Sequence, residues 1–231
     1  MNARTPRFAP RSSSVVRSFA LLSLSCLALS WLTSVASAGL PPGPNISYPA
    51  SIRIVGHSGG VPDPFGRFEV VVRDLVNLPV PNADVRLDFS QALDVRLSAT
   101  VSAPGVITNC AQRTVSAITD ADGKAVFTIA GASTSAPAQC LTSGSTCFGT
   151  ATVYADGVLA GTTRVAVLDL DGASGMGGAD LAAWLDDFST GLNPTRSDLD
   201  GNDTVGGADL SIWLSVFGAG GSMDSASPFC P

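Results

Sequence analysis

Ten aspartates lie between residue 169 and residue 231, against a single basic residue, Arg196. Six of them form two sets with one spacing. Asp169, Asp171 and Asp180 are followed by Asp198, Asp200 and Asp209, each 29 residues from its counterpart. Each set places carboxylates at the first, third and twelfth positions of an acidic, glycine-rich loop. Carboxylates gathered so closely repel one another unless a cation sits among them. Alternating side chains at the start of such a loop converge while the chain curls round them. A hard cation such as Ca²⁺ requires that arrangement, because it takes about 6–8 oxygens at roughly 2.3–2.6 Å. In the second loop Asn202 adds an amide oxygen at the fifth position, and the backbone carbonyl of Thr204 falls at the seventh. The expected ligands are therefore Asp169, Asp171 and Asp180 in one loop, and Asp198, Asp200, Asn202, Thr204 and Asp209 in the other, with Ca²⁺ as the cofactor. The competing reading is a plain acidic loop without metal, and the one-sided charge count argues against it.

The loops are unequal. Ala173 stands at the fifth position of the first, so a ligand is missing and a lower affinity is expected there. The sixth positions, where calcium loops usually carry Gly for a sharp turn, are Ser174 and Asp203. The ninth positions, Gly177 and Gly206, offer no side chain, so water must serve.

The elements that hold these loops are duplicated too. Asp169-Leu170-Asp171-Gly172 returns as Asp198-Leu199-Asp200-Gly201, and Gly177 to Leu181 returns as Gly206 to Leu210. One offset kept across so many matches marks an internal repeat. After each loop, Leu181, Trp184, Leu185 and Phe188, then Leu210, Trp213, Leu214 and Phe217, recur at helical spacing. One such stripe cannot bury itself. The expectation is two short helices whose stripes face each other, with the aromatics as core and not as a platform for sugars.

Residues 167–218 resemble a type I dockerin, a duplicated calcium-loop-plus-helix module whose twelfth ligand is commonly Asp. The resemblance implies calcium-dependent folding and docking to a cohesin-like receptor. The tenth and eleventh loop positions, which would then meet the partner, are Gly178-Ala179 and Gly207-Ala208, small and nearly featureless. The basic residues that many dockerins carry on the following helix are absent, with Asp186-Asp187 and Ser215-Val216 in their place. Calcium binding is thus better supported than cohesin binding.

At the other end, Arg4, Arg7, Arg11 and Arg17 precede an apolar run from about Phe19 to Leu32, and Ala36-Ser37-Ala38 supplies small residues for cleavage. Residues 1–38 read as a secretory signal peptide, so the expected location is extracellular or periplasmic. Cys26 as a lipoprotein anchor is disfavoured, because Ser23 stands where that motif has Leu. No later stretch is apolar enough to span a membrane. The remaining chain has nine basic against nineteen acidic residues, a net of −10, which excludes an electrostatic case for nucleic acid. Its four cysteines, Cys110, Cys140, Cys147 and Cys230, are disulfide candidates. Cys140 with Cys147, Cys110 with either of them, and Cys230 tying down the tail are all open, with Cys110 to Cys140 or Cys147 favoured.

From Ile46 to Leu168 the pattern is all-β. Ser51 to Val55, Arg67 to Arg73, Ala83 to Phe89, Arg113 to Ile118, Ala125 to Ile129, Thr150 to Tyr154 and Thr162 to Val167 read as strands, with Asp122-Gly123 and Asp156-Gly157 marking turns. Seven or eight short strands argue a β-sandwich. Val71 to Asp74 with Leu78 to Val85, and Thr119 to Ala125, resemble segments of bacterial immunoglobulin-like domains of the invasin and intimin type. The resemblance implies a spacer, an adhesive module or an add-on to an enzyme. Ser133 to Thr146 reads as an inserted loop.

The expected fold class is therefore multi-domain, an all-β immunoglobulin-like sandwich followed by a small all-α dockerin-like pair. Its parts are a signal peptide at 1–38, a linker at 39–45, the sandwich at 46–168, the calcium module at 169–218 and a flexible tail at 219–231. The only histidine, His57, has no Gly-x-Ser-x-Gly elbow to serve, and the only glutamate, Glu69, has no partner for glycosidase work. No phosphate loop, zinc spacing or dinucleotide fingerprint occurs. The expectation is a secreted, non-catalytic calcium-binding protein for protein–protein docking or extracellular assembly. The alternative is a surface adhesin or accessory carbohydrate-binding protein whose sandwich does the binding.

Overall fold

The alternation of apolar and polar residues in Asp84–Asp88 decides which face of that strand turns inward. Val85 and Leu87 are fully buried, while Asp84 is exposed. The same rule orders its neighbours. In the computed structural model, which describes residues 45–133, 149–191 and 194–231, these strands build a six-stranded sheet. Its order is Ser51–Ile54, Val158–Val167, Thr150–Ala155, Asp84–Asp88, Thr114–Ile118 and Ile107–Asn109. All pairs are antiparallel except the first, where Ser51–Ile54 runs parallel to the end of Val158–Val167, with Ile52 opposite Val165 and Ile54 opposite Val167. A three-stranded sheet of Ile46–Ser47, Phe68–Val72 and Lys124–Phe127 contributes Val70, Val72, Ala125 and Phe127 to the same core. The chain from Val95–Leu97 pairs with Gly131–Ser133, and His57–Ser58 with Val61–Pro62, as two small ribbons.

Turn chemistry agrees with the expected punctuation. Asp120 Oδ1 accepts from the backbone of Asp122 and Lys124 at 2.9 and 3.0 Å, and Gly123 takes the left-handed conformation that the turn requires. All seven expected strands form. The missed ones are two or three residues long, too short for a period of two to register. The expected signal segment, most of the linker, Cys140, Cys147 and nearly all of the inserted loop lie outside the described residues. Among the described residues no helix is long and apolar enough to cross a membrane.

Three short helices follow the last strand: α1 (Gly178–Thr190), α2 (Pro194–Ser197) and α3 (Gly207–Gly218). They do not form the expected all-α module, and the described residues hold more strand than helix. Each apolar stripe is split instead of being buried against its copy. Trp184 packs into the sandwich core alongside Leu170. Trp213 joins a second cluster with Val55, Ala166, Leu168, Met176, Leu199 and Val216. Leu185, Phe188, Leu214 and Phe217 remain exposed. The physical reason is size. Two helices of 13 and 12 residues have too little apolar surface for a core of their own, and the sheet next to them supplies one. The described residues accordingly cluster as one unit.

The tail is tied to that unit. Cys230 is disulfide-bonded to Cys110, its backbone N–H donates to the Leu97 carbonyl at 2.8 Å, and Ala99 N–H donates to the Pro228 carbonyl at 2.8 Å. The pairing of Cys110 with Cys140 or Cys147 is thereby overturned. Residues 219–231 make specific contacts along the sandwich, where a flexible tail was expected.

Candidate metal centre

Strand Val158–Val167 ends one residue before Leu168, whose N–H donates to the Ile54 carbonyl at 3.1 Å, so Asp169 opens the first loop directly off the sheet. The loop is rooted a second time where Ser133 N–H donates to the Asp169 carbonyl at 2.8 Å. It then folds by bonding its backbone to its own carboxylates. Asp169 Oδ1 accepts from Gly172 N–H at 2.7 Å, and Asp171 Oδ1 from Ala173 N–H at 2.7 Å. Asp180 sits in the first turn of α1 and reaches back. Its Oδ1 accepts from Leu170 and Asp171, and its Oδ2 from the helix-capping Gly177 at 2.7 Å. A carboxylate there is favoured by the free N–H groups of the helix start.

The second loop repeats this closely. Asp198 Oδ1 accepts from Gly201 N–H at 2.8 Å, Asp209 Oδ1 from Asp200 N–H at 2.9 Å, and Asp209 Oδ2 from Gly206 N–H at 2.8 Å. Gly172 and Gly201 share a left-handed conformation, and so do the sixth-position residues Ser174 (φ 62°) and Asp203 (φ 72°). The sharp turn that calcium loops assign to Gly is therefore made here by side chains less suited to it. Asn202 and Thr204 bond to Asp200 and to each other on the second loop. Asn202 Nδ2 donates to Asp200 Oδ2 at 2.8 Å, and Asn202 Oδ1 accepts from Thr204 N–H at 2.9 Å.

The result is two three-carboxylate clusters, Asp169 with Asp171 and Asp180, and Asp198 with Asp200 and Asp209. Within each, one oxygen from every member lies within 4.8 Å of the others. The first and twelfth aspartates of both loops are buried. Either cluster could hold a metal ion. Asp169 carries the strongest sign. Its Oδ2 is buried and has no hydrogen-bond partner. Burial, and then the nearby Asp180 charge, raise its pKa from the ordinary 3.8 to about 7, and burial likewise raises that of Asp180. An orphaned buried carboxylate oxygen costs about 1–3 kcal/mol or more, unless something positive meets it.

Gly178, Ala179, Gly207 and Ala208 lie exposed at the starts of α1 and α3. Sequence patterning missed the arginines that underpin the loops. Arg53 Nε donates to the Leu199 carbonyl at 2.7 Å, and Arg96 donates through Nη2 to the Ser133 carbonyl at 3.0 Å. Arg164 pairs with Asp203 and lies 3.7 Å from Asp198 Oδ2. Each belongs to a strand whose alternation reads simply as a polar face, so no local signal points toward a loop more than 30 residues away. Also unseen was the buried pair under α1, where Arg196 grips Asp187 through two bonds of 2.7 and 2.9 Å and Ser197 Oγ adds a third at 2.6 Å.

Compared with protein families, curated proteins and solved structures, the chain matches none.

Proposed function

We propose that this is an exported, non-catalytic calcium-binding protein whose duplicated loops fasten its helical end to a β-sandwich, for use in extracellular protein–protein assembly. The observation that carries the reading is Asp169 Oδ2, an unpartnered, buried oxygen on a residue clustered with two further carboxylates. The all-oxygen donor sets suit a hard cation of calcium's size and exclude the nitrogen and sulfur ligation favoured by zinc or copper. Asp169, Asp171 and Asp180 would hold one ion. Asp198, Asp200, Asn202, the Thr204 carbonyl and Asp209 would hold another. The bound ion supplies charge neutralisation and rigidity, and no reaction is routed through it.

Exposed Leu185, Phe188, Leu214 and Phe217, which occur at matching positions of α1 and α3, favour a protein-binding role over a purely structural one. An adhesive role of the sandwich alone is the second reading, favoured by the exposed Leu75, Val76 and Leu78 at one turn. The deciding experiment is metal stoichiometry of the whole chain after chelation and calcium titration. The helical end shares its core with the sandwich, so a fragment beginning at residue 169 is not a fair substrate for the test. One or two bound ions, with a rise in melting temperature, are expected. A flat titration removes the reading.

A further inference from the structure

The two loops differ in what already neutralises them. Arg164, on strand Val158–Val167, reaches under the second loop. Its guanidinium pairs with Asp203, donates to the Gly201 carbonyl, and stands 3.7 Å from Oδ2 of the first-position ligand Asp198. The cation beside the first loop is Arg96, whose Nη2 lies against Gly172 and whose charge reaches Asp169 without forming an ion pair with it. It donates to the Ser133 carbonyl and lies over the Phe229 ring at 4.3 Å, and it forms no ion pair with the loop among the described residues. The first loop therefore keeps an orphaned carboxylate oxygen, while the equivalent aspartate of the second has both oxygens engaged, Oδ1 by Gly201 and Asn202 and Oδ2 by Asp203 N–H at 2.9 Å.

We propose that Arg164 is the resident counter-cation of the second loop, so that calcium fills the first loop, Asp169 to Asp180, before the second, Asp198 to Asp209. This rests on the calcium reading given above. It reverses the order that ligand counting alone suggests, since Ala173 leaves the first loop one oxygen short. A missing neutral oxygen is readily replaced by water. A guanidinium charge beside a ligand oxygen is not so easily offset, because it acts well inside the screening distance of roughly 8 Å at physiological salt.

The test is calorimetric titration of the whole, chelator-stripped chain with calcium chloride. Asp171→Asn is used to silence the first loop and Asp200→Asn to silence the second. The tighter event is expected to vanish with Asp171→Asn and survive Asp200→Asn. Arg164→Gln is expected to tighten the weaker event about tenfold and leave the tighter one within about twofold, while Arg164→Lys keeps both near their original values. A tighter event lost with Asp200→Asn overturns the proposal, and so does a weaker event unmoved by Arg164→Gln. Should Arg164→Gln fail to fold, the two aspartate variants still decide the order, and a chain that takes one ion is judged by which of them abolishes it. A chain with no calcium heat at all removes the calcium reading itself, an outcome distinct from binding in the wrong order.

Discussion

The indole Nε1 of Trp213 donates to the carbonyl of Leu168 at 3.3 Å, one residue ahead of Asp169. Its copy makes the mirrored bond, from Trp184 to the carbonyl of Ser197 at 3.3 Å, one residue ahead of Asp198. Each helix thus braces the entrance of the other repeat's loop. Both indoles stack on a phenylalanine one turn along, Trp213 on Phe217 and Trp184 on Phe188, with centroids 5.3 and 5.5 Å apart.

This crossed bracing predicts crossed phenotypes. Trp213→Phe keeps most of the packing but leaves the Leu168 carbonyl without its donor, at a cost of about 1–3 kcal/mol. The calcium affinity that falls is expected to be that of the first loop, although Trp213 follows the second. Trp184→Phe is expected to do the reverse. Calorimetry on the two variants, each with one loop silenced, checks the assignment.

Stability should fall with pH in the metal-free chain and stay nearly level in the calcium-loaded one. The raised pKa of Asp169, about 7 in place of 3.8, means that the folded, metal-free chain holds a proton which the unfolded chain has lost. The folded state then binds more protons, so metal-free stability falls as pH rises through that window and levels off above about 7. Calcium must displace the proton, so its stabilising effect grows over the same range. Thermal melts from acidic to mildly alkaline pH, with calcium or with chelator, are expected to diverge as pH rises.

Arg196→Met should be severe. It leaves the Asp187 carboxylate buried without its two guanidinium bonds, and loss of one partner from such a pair costs about 3–5 kcal/mol. The guanidinium also reaches Ser133 Oγ at 3.3 Å, and Ser133 N–H holds the Asp169 carbonyl. Urea unfolding is expected to show the full loss, with weaker calcium binding at the first loop. The double change Asp187→Leu with Arg196→Met should recover much of the stability.

Reduction, or Cys230→Ser, should destabilise the fold by about 2–4 kcal/mol, since the bridge closes a long stretch of chain. Non-reducing and reducing melts of the calcium-loaded chain measure it. Mass mapping of the oxidised chain is expected to return the peptide pair holding Cys110 and Cys230.

The two loops were legible in the sequence because a repeat writes its geometry twice. Gly172 and Gly201, or Asp180 and Asp209, need only their own few neighbours to take up their positions. The long strands were legible for a similar reason, since Val85 and Leu87 announce an inward face within five residues. What lay beyond reach was everything settled at long range. Leu185 and Phe188 have the same helical spacing as Trp184, and nothing local says that only the tryptophan turns into the sandwich. The separate helical module was expected on that account. The partner of Cys110 lies 120 residues away, farther than Cys140 or Cys147, and the choice depends on where the last strand pairings deliver the C-terminus. Arg164 reads as an ordinary polar strand residue until the fold sets it beneath Gly201.

The bridge between Cys110 and Cys230 also determines where mechanical load travels. A pull on the C-terminus is transmitted through the sulfurs straight to the sandwich at residue 110 and bypasses both acidic loops and their helices. If the loops hold calcium as proposed, a force on the tail would therefore leave the ions in place.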